Sequence, residues 1–218
     1  MDILIVPDVH GREFWIDPCN NWDGDIIFLG DYHDPYTFEV SKDKSLKTLQ
    51  ELVKWNNARI NKPIFLLGNH DISYLSHTDC CRKDRYNSNK IERLIRSLNP
   101  KLYYIYNNYI FSHSGILPEW LNNNNLQLAD LDNLTYSDKC LYDISYYRGG
   151  YHNVGSLIWG DVREYDSNTK LPNYYQIFGH TLLKNEPVIT DEYACLDCKK
   201  CFILNTETNK IKEYEGCS

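Results

Sequence analysis

The chain has 218 residues, of which 42% are hydrophobic, and its formal net charge is −7. That length can bury a substantial core in one large domain or two small ones. The acidic balance and the lack of a long Lys/Arg run argue against a dedicated nucleic-acid-binding protein, which usually shows a basic stripe. A metal-rich acidic pocket fits the balance, because bound divalent ions offset nearby carboxylates.

The start of the sequence and its apolar runs predict a protein of the cytoplasm with no membrane partner. Residues 1–4 already have the pattern of a strand and lack the basic start and apolar run of a signal peptide. No apolar run approaches the roughly 20 residues that a membrane-spanning helix needs. In that reducing compartment we expect the eight cysteines to be thiols, not a disulfide framework.

Two groups of cysteines invite other interpretations. One group resembles neither a paired Cys-x2-Cys set nor a Cys/His finger well, so we predict core or edge thiols rather than zinc ligands. Its members are Cys195, Cys198, Cys201 and Cys217. The adjacent pair Cys80 and Cys81 lies in a polar stretch, is expected to stay reduced and receives no role from the sequence.

An apolar segment at residues 3–7 predicts a buried strand at the start of the chain. Asp8 and His10 follow it, and in an extended turn their side chains would point the same way because side chains alternate with a period of two. A carboxylate and an imidazole on one side suit one metal ion, although an ordinary turn with a capping Asp gives the same short motif. Arg12 is either a solvated loop charge or a phosphate contact.

A second strand, predicted at residues 26–29, ends at a second carboxylate. Residues 13–25 before it are predicted to be irregular. Asp31 occupies the position after the strand that Asp8 occupies after the first one. Asp34 lies three residues further on, next to a proline that stops any strand there.

A strand–helix–strand unit is predicted over residues 26–67, with an apolar stripe at helical spacing in residues 43–58. Such a unit implies parallel pairing of its two strands. The third strand runs directly into Asn69, which offers a neutral oxygen ligand, and His70, which can be acid, base or ligand.

The rest of the chain repeats the arrangement twice. Residues 89–98 are predicted as a helix, and residues 102–114 as a hairpin whose return strand ends at His113. A further apolar strand leads to His180, and the remaining tail is β-rich. Five apolar strands thus deliver Asp, His or Asn at the same end, where open α/β sheets bind ligands.

We therefore expect these strand ends to meet around two metal ions. Their oxygen and imidazole ligands suit Mn, Fe, Zn or Co better than Ca. Asp31 is the natural bridge between two ions, which at roughly 3.5–4 Å apart can share a hydroxide and clamp an in-line displacement at phosphorus. His70 is then free to protonate the leaving alkoxide, and Asp34 can orient it.

Residues 126–170 carry no clear periodicity and are predicted to cover the site and shape substrate choice. This stretch contains Arg148 and Arg163, whose guanidinium groups suit phosphate oxygens. A solvated surface arginine is an equally good interpretation of each.

As a set, these motifs resemble the calcineurin-like metallophosphoesterases. The resemblance is nearest the branch with the PPP Ser/Thr protein phosphatases and the symmetrical diadenosine tetraphosphatases, of bacterial or phage type. It spans residues 3 to about 197 and rests on Asp8-Val9-His10-Gly11, Gly30-Asp31-x-x-Asp34, Gly68-Asn69-His70-Asp71, His113 and Gly179-His180.

The resemblance implies a fold and a role for each site residue. It implies one metallophosphoesterase domain with a four-layer α/β/β/α sandwich of two mixed sheets. It also implies two divalent ions, each of them Mn, Fe, Zn, Co or Ni. The first ion would be bound by Asp8, His10 and Asp31. The second would be bound by Asp31, Asn69, His113 and His180. His70 matches the proton donor and Asp34 its carboxylate partner.

Two departures from the PPP pattern bear on substrate. Pro35 and Tyr36 stand where that pattern has Arg-Gly, so one phosphate-binding arginine is missing, and Arg12 or Arg148 is a possible substitute. Asp71 stands where the eukaryotic protein phosphatases have Glu.

Four functions are compatible with these residues to different degrees. We favour a phosphatase that acts on phosphate monoesters, in phosphoproteins or small molecules, through two metal ions and His70. The alternative is a dinucleoside polyphosphate hydrolase. A phosphodiesterase or nuclease is disfavoured by the acidic balance. A catalytically inactive scaffold of the same fold is disfavoured because every ligand position and His70 are filled.

Overall fold

The computed structural model describes residues 1–166 and 169–216, so Cys217 lies outside the described residues, as do two positions of the segment 126–170. The strands are β1 (Asp2–Val6), β2 (Asp25–Phe28), β3 (Ile64–Phe65), β4 (Tyr103–Tyr106), β5 (Tyr109–Ser112), β6 (Tyr175–Phe178), β7 (Val188–Ile189), β8 (Tyr193–Cys195), β9 (Phe202–Asn205) and β10 (Lys210–Glu213). The α-helices are α1 (Ile16–Asn20), α2 (Lys42–Ala58), α3 (Asn69–Leu75), α4 (Ser88–Leu98) and α5 (Pro118–Asn123). Among these residues, no helix has both the length and the apolar character needed to cross a membrane.

The strands form two mixed five-stranded sheets. The first has the order β10-β9-β1-β2-β3, in which β1, β2 and β3 are parallel and β9 and β10 are antiparallel additions. The second has the order β4-β5-β6-β8-β7, with parallel pairing of β5, β6 and β8. The predicted parallel pairing of the strands around α2 and the predicted 102–114 hairpin are confirmed.

The two sheets pack face to face because alternate side chains of each strand face different cores. From β1 and the end of β2, one set faces the second sheet: Ile3, Ile5, Ile27 and Leu29, with Phe111 and Ile177 opposite. The intervening set packs against helices: Leu4, Val6, Ile26 and Phe28, with Leu49 and Ile95. Burying one such side chain stabilises the fold by about 1.5–3 kcal/mol.

Helices cover the outer faces, which completes the predicted four layers. Helices α2 and α4 pack with the first sheet, and α2 begins at Ser41, whose side chain accepts a hydrogen bond from the Lys44 N–H at 3.2 Å. On the second sheet, α5 and short 3₁₀ turns supply the outer layer, with Trp120 and Leu131 in the core. This α/β fold of two mixed sheets is the predicted one.

Three local predictions are wrong. Residues 13–25 contain the short helix α1, whose five residues are too few to show helical periodicity. The turn after β1 is not extended, because His10 has a φ of 44°. The third strand is only two residues long, although the Leu66 N–H still donates to the Phe28 carbonyl oxygen of β2 at 2.9 Å and Leu66 also forms an isolated bridge with Lys101.

Candidate functional site

The carboxyl ends of five strands meet at one edge of the paired sheets. The first sheet brings Asp8 after β1, Asp31 after β2, and Asn69 at the start of α3, which follows β3. The second sheet brings His113 after β5 and His180 after β6. All five side chains are buried, with at most 4% of their surface exposed. The predicted meeting of strand ends is therefore present in the structure.

These side chains form a compact set of metal-type ligands. Ligand atoms of Asp8, Asp31, His113 and His180 all lie within 4.8 Å of one another. The His10 Nε2 atom lies 3.4 Å from Asp31 Oδ2 on one side, and His113 Nε2 lies 3.5 Å from the same oxygen on the other. Asp31 is thus central to the cluster, which is the position that a bridging carboxylate requires.

The remaining polar contacts orient the imidazoles toward this centre. His10 Nδ1 lies 2.9 Å from the His33 carbonyl oxygen and His113 Nδ1 lies 2.8 Å from the Leu29 carbonyl oxygen. Each Nδ1–H therefore donates to the backbone, which leaves the unprotonated Nε2 of each ring on the side of Asp31. Asn69 Oδ1 lies 3.1 Å from His113 Nε2, inside the same group.

Within the cluster, Asp8 Oδ2 and His180 Nε2 are buried and have no hydrogen-bond partner among residues 1–166 and 169–216. Buried polar atoms nearly always have a hydrogen-bond partner, so two unpaired atoms in one cluster need an explanation. Burial lowers the pKa of His10 to about 3 and that of His180 well below its ordinary 6.5, so both imidazoles are neutral. Neutral imidazoles and unpaired carboxylate oxygens are what a divalent transition metal binds, and the residues present fit that group.

The backbone around the cluster is unusual. His10, Asp31, Asp34 and His180 all have positive φ values, between 44° and 64°. Such conformations are uncommon outside glycine and cluster at functional sites. The turns are also tight, since a Cβ on Gly68 would overlap the Asp31 carboxylate and one on Gly179 would overlap that of Asp8.

Asp71, to which the sequence assigned no role, holds two of these turns together. Its carboxylate accepts hydrogen bonds from the Asp31 N–H at 2.7 Å, the Tyr32 N–H at 3.1 Å and the Gly68 N–H at 3.0 Å. Burial and the charge of Asp31 raise its pKa to about 7. Asp71 therefore positions Asp31 without facing the cluster itself.

His70 lies beside the cluster and is paired with Asp34. Its Nδ1 atom is 2.9 Å from Asp34 Oδ2, and the other Asp34 oxygen accepts the Tyr74 hydroxyl. Burial alone would lower the pKa of His70, but Asp31 and Asp34 raise it to about 10. The predicted pairing of these two residues is present in the structure, while their catalytic roles stay a proposal.

Three residues in the segment 76–87 also contact His70, and the sequence did not connect them with it. Arg82 Nη2 lies 2.9 Å from His70 Nε2, and the sulfur atoms of Cys80 and Cys81 lie 3.7 and 3.9 Å from the ring nitrogens. An arginine only donates, so the Arg82 contact favours an unprotonated Nε2, against the effect of the carboxylates. The run Cys80-Cys81-Arg82-Lys83, ten residues after His70, was the only hint in the sequence.

Two arginines lie over the Tyr36 ring at the opening of the site. The guanidinium of Arg82 is 3.8 Å and that of Arg12 is 5.5 Å from the ring centre. Glu39 holds Arg12 through a 2.8 Å contact. Arg12 Nη2 and Arg82 Nε are buried donors without an acceptor among the described residues. Both are therefore available to an anion.

The other two predicted arginines come from the segment 126–170. Arg148 Nη2 donates to the His180 carbonyl oxygen at 3.2 Å, so it lies at the edge of the cluster. Arg163 is 56% exposed and donates to both oxygens of Asp161, at 2.7 and 2.9 Å. Trp159, from the same segment, packs edge-on against the His180 ring. The described part of this segment therefore borders the second-sheet side of the site, and its covering role stays a prediction.

The fold is shared with solved phosphatase structures, whereas no family model and no curated protein sequence matches this chain. A cold-active protein-tyrosine phosphatase of the psychrophile Shewanella sp. aligns with a TM-score of 0.63 at 16% identity, over 98% of this chain and 80% of that one. A second structure of a cold-active protein tyrosine phosphatase gives 0.61 at 16% identity, over 99% and 79%. At this identity the matches show the same fold. A metallophosphoesterase from Sphaerobacter thermophilus aligns at 0.48 and 14% identity, over 100% and 89%.

Proposed function

We propose that this chain is a metal-dependent phosphatase that hydrolyses phosphate monoesters. One observation carries the proposal: Asp31 lies at the centre of a buried Asp/His/Asn cluster, directly beside the His70–Asp34 pair. A site for two cations next to a proton donor is an arrangement that can hydrolyse a phosphate ester. The shared fold with a protein named as a phosphatase supports the proposal.

The proposed ligand set is the one that the resemblance implies, and the close approach of these side chains supports it. Asp8, His10 and Asp31 would hold a first divalent ion, and Asp31, Asn69, His113 and His180 a second, with Mn the first choice and Fe, Zn, Co or Ni as alternatives. When bound, the ions supply Lewis-acid charge and activate water as the nucleophile. Asp71 keeps Asp31 in register by accepting its backbone N–H.

His70 is the proposed general acid. Asp34 accepts its Nδ1–H and fixes the ring, so the proton for the leaving alkoxide comes from Nε2. Arg82 occupies the space beside Nε2. A bound phosphate would attract Arg82 away from His70, which removes a competing donor and leaves Nε2 free to hold the proton.

Arg12 and Arg82 are the proposed phosphate contacts, in place of the arginine that the Pro35-Tyr36 sequence lacks. Both have an unused buried donor, and both guanidinium groups lie over the Tyr36 ring. Arg148 is a third candidate at the other edge, whereas Arg163 has its donors engaged by Asp161. Phosphoproteins are the favoured substrates, because the protein with the similar fold is named as a protein phosphatase.

The test is hydrolysis of p-nitrophenyl phosphate with added Mn²⁺, with diadenosine tetraphosphate assayed in parallel. We expect activity that EDTA abolishes, and a loss of roughly 10²–10⁴-fold in kcat for His70→Asn, the usual scale for a proton donor. His77→Asn is the matched control, since the His77 side chain is 71% exposed and lies just after helix α3, which carries His70.

The outcomes separate the alternatives. Preferential cleavage of the dinucleotide would favour the polyphosphate hydrolase. An inert metal-loaded protein would favour the inactive scaffold. Full activity in His70→Asn would remove His70 from the proposed mechanism.

A further inference from the structure

Cys80 and Cys81 form a vicinal dithiol against the imidazole of His70. The two sulfur atoms and a ring nitrogen of His70 lie within 4.8 Å of one another. Cys80 Sγ is 3.7 Å from Nδ1 and Cys81 Sγ is 3.9 Å from Nε2. Neither thiol has a function in the hydrolysis proposed above.

Access distinguishes Cys81 from the other cysteines. Of the seven that the structure describes, Cys81 is exposed, Cys80 and Cys140 are half-buried and the remaining four are buried. Cys80 and Cys81 line an open cavity of about 800 Å³ together with Lys42, Arg82 and Lys83. A small polar oxidant can therefore reach Cys81 from solvent.

The surroundings of Cys81 favour its thiolate. Arg82 is a cationic neighbour of Cys81, and the Cys80 thiol donates a hydrogen bond to the Cys81 sulfur. The hydrogen bond from Cys80 and the contact with His70 lower the pKa of Cys81 to about 4, whereas burial raises that of Cys140. An accessible thiolate next to a second thiol is the arrangement found in peroxide-sensitive cysteines.

We propose that Cys80 and Cys81 are a modification site, at which a hydroperoxide oxidises the pair to a vicinal disulfide. The Cys81 thiolate attacks one oxygen of hydrogen peroxide, which gives a sulfenic acid and releases hydroxide. The Cys80 sulfur then attacks the sulfenic sulfur, so that the S–S bond forms and the S–O bond breaks. The sulfenic O–H group leaves as water, with the proton of the Cys80 thiol. The peroxide supplies the two oxidising equivalents.

The ring would be strained and hence easily reduced. Adjacent Cα atoms are about 3.8 Å apart across a trans peptide, whereas disulfides usually join Cα atoms roughly 4.4–6.8 Å apart. Strained, exposed disulfides have higher reduction potentials and are the labile ones. The cellular thiol pool can therefore reverse the modification.

Closing the ring would disturb the site through Arg82. Arg82 follows Cys81 directly, has a φ of 62° and contacts His70 Nε2 at 2.9 Å. Drawing the Cys81 sulfur toward Cys80 rotates the backbone that carries Arg82 and removes sulfur contacts from both ring nitrogens. The modification does not depend on the proposed function, but its effect on hydrolysis rests on it.

The test treats the reduced, metal-loaded full chain with increasing hydrogen peroxide, alkylates remaining thiols and maps the peptides by mass spectrometry. We expect the peptide with Cys80 and Cys81 to lose two hydrogens and escape alkylation at doses that leave Cys140 alkylated. Dithiothreitol should restore both thiols. Cys80→Ser should accumulate a dimedone-trapped sulfenic acid on Cys81, whereas in Cys81→Ser the Cys80 thiol should stay alkylatable.

Phosphatase activity is the second readout. Peroxide should reduce the activity of the native protein by about 10²-fold, the scale of a misplaced proton donor, and dithiothreitol should restore it. The double variant Cys80→Ser/Cys81→Ser should resist, which separates this loss from oxidation of a metal ion, and Cys140→Ser should respond like the native protein.

Three results would overturn the proposal. The modification site would be refuted if Cys81 stays alkylatable at peroxide doses that oxidise Cys140. The role of Cys80 would be refuted if Cys81 forms a sulfinic acid or an external thiol adduct and no disulfide. A disulfide with unchanged hydrolysis would refute the link to His70. If the untreated chain hydrolyses no phosphate ester, the mass measurement still decides the modification, and only the proposed function fails.

Discussion

Two guanidinium groups lie over the Tyr36 ring, and that of Arg82 also contacts His70. A single side chain thus connects the proposed phosphate contact with the proposed acid. Stacking on the ring fixes the plane of the Arg82 guanidinium, which a lysine cannot reproduce. The consequence is that shape as well as charge should matter at this position.

We predict that Arg82→Ala lowers kcat/KM for p-nitrophenyl phosphate by about 10- to 100-fold, the equivalent of one or two charge-assisted hydrogen bonds. Arg82→Lys should recover only part of the loss. Arg85→Ala is the matched control, because Arg85 lies on the same loop but is 77% exposed and pairs with Asp79. Steady-state kinetics of the three variants check this, and native kcat/KM in Arg82→Ala would contradict it.

At the scale of the element, Asp161 ties the described part of the segment 126–170 to the site. Its buried carboxylate accepts the Arg163 Nε–H at 2.7 Å and lies 3.5 Å from Arg148 Nη1, and Arg148 in turn donates to the His180 carbonyl. Burial alone would raise the pKa of Asp161, but Arg163 and Arg148 lower it below its ordinary 3.8. The carboxylate is therefore a stabilising ion at neutral pH.

We predict that Asp161→Asn lowers the free energy of unfolding by about 1–2 kcal/mol at neutral pH. This is the low end of the range for hydrogen bonds to charged groups, because Arg163 is half-exposed and solvent weakens its pairing. A depressed pKa contributes stability that is complete above the unfolded value of 3.8 and is lost as pH falls through the folded value. The difference between native and variant should therefore shrink in acid. Urea titrations at descending pH measure it.

The control for this prediction is the exposed Asp79–Arg85 pair. Both side chains are largely in water, so Asp79→Asn should change stability by less than about 0.5 kcal/mol. A pH-independent loss in Asp161→Asn would mean that the variant acts through packing and not through its charge.

At the scale of the whole molecule, the sequence predicted the strand ends well because two independent patterns coincide there. Each strand is a short apolar run, and each run is followed by Asp, His or Asn, so position and chemistry support each other. Asp8, Asp31, Asn69, His113 and His180 were all found in this way. The parallel pairing of β2 with β3 also follows from the predicted strand–helix–strand unit, because strands joined by a crossover helix pair in parallel. The sheet order was not predicted, because β1 pairs with β9 from the far end of the chain.

The features that sequence analysis missed depend on tertiary contacts or on backbone geometry. Residues 76–87 have no periodicity, so nothing local indicates that Arg82 and the two cysteines fold back onto His70. The left-handed turn at His10 is invisible because histidine only mildly favours positive φ. Asp71 lay in the recognised motif, but its three backbone hydrogen bonds appear only once both turns are in place.

The stability of the entire chain should depend on a bound divalent ion. Burial raises the pKa of Asp8, while Asp31 stays ionised because three imidazoles lower its pKa to about 2 against the effect of burial. Asp8 Oδ2 and His180 Nε2 are unsatisfied among the described residues, and four nearby residues have left-handed backbone. A divalent ion would bind these atoms in the folded chain but not in the unfolded one, so it should stabilise the fold.

We predict that Mn²⁺ at about 100 times its Kd raises Tm by roughly 5–10 °C, because about 2.7 kcal/mol of linkage corresponds to that shift in a chain of this size. EDTA should reverse the rise. Asp31→Asn should abolish it, since it removes the shared ligand, whereas His77→Asn, at an exposed histidine, should keep it. Differential scanning calorimetry checks all four samples, and an unchanged Tm in the native protein would contradict the metal site independently of any activity.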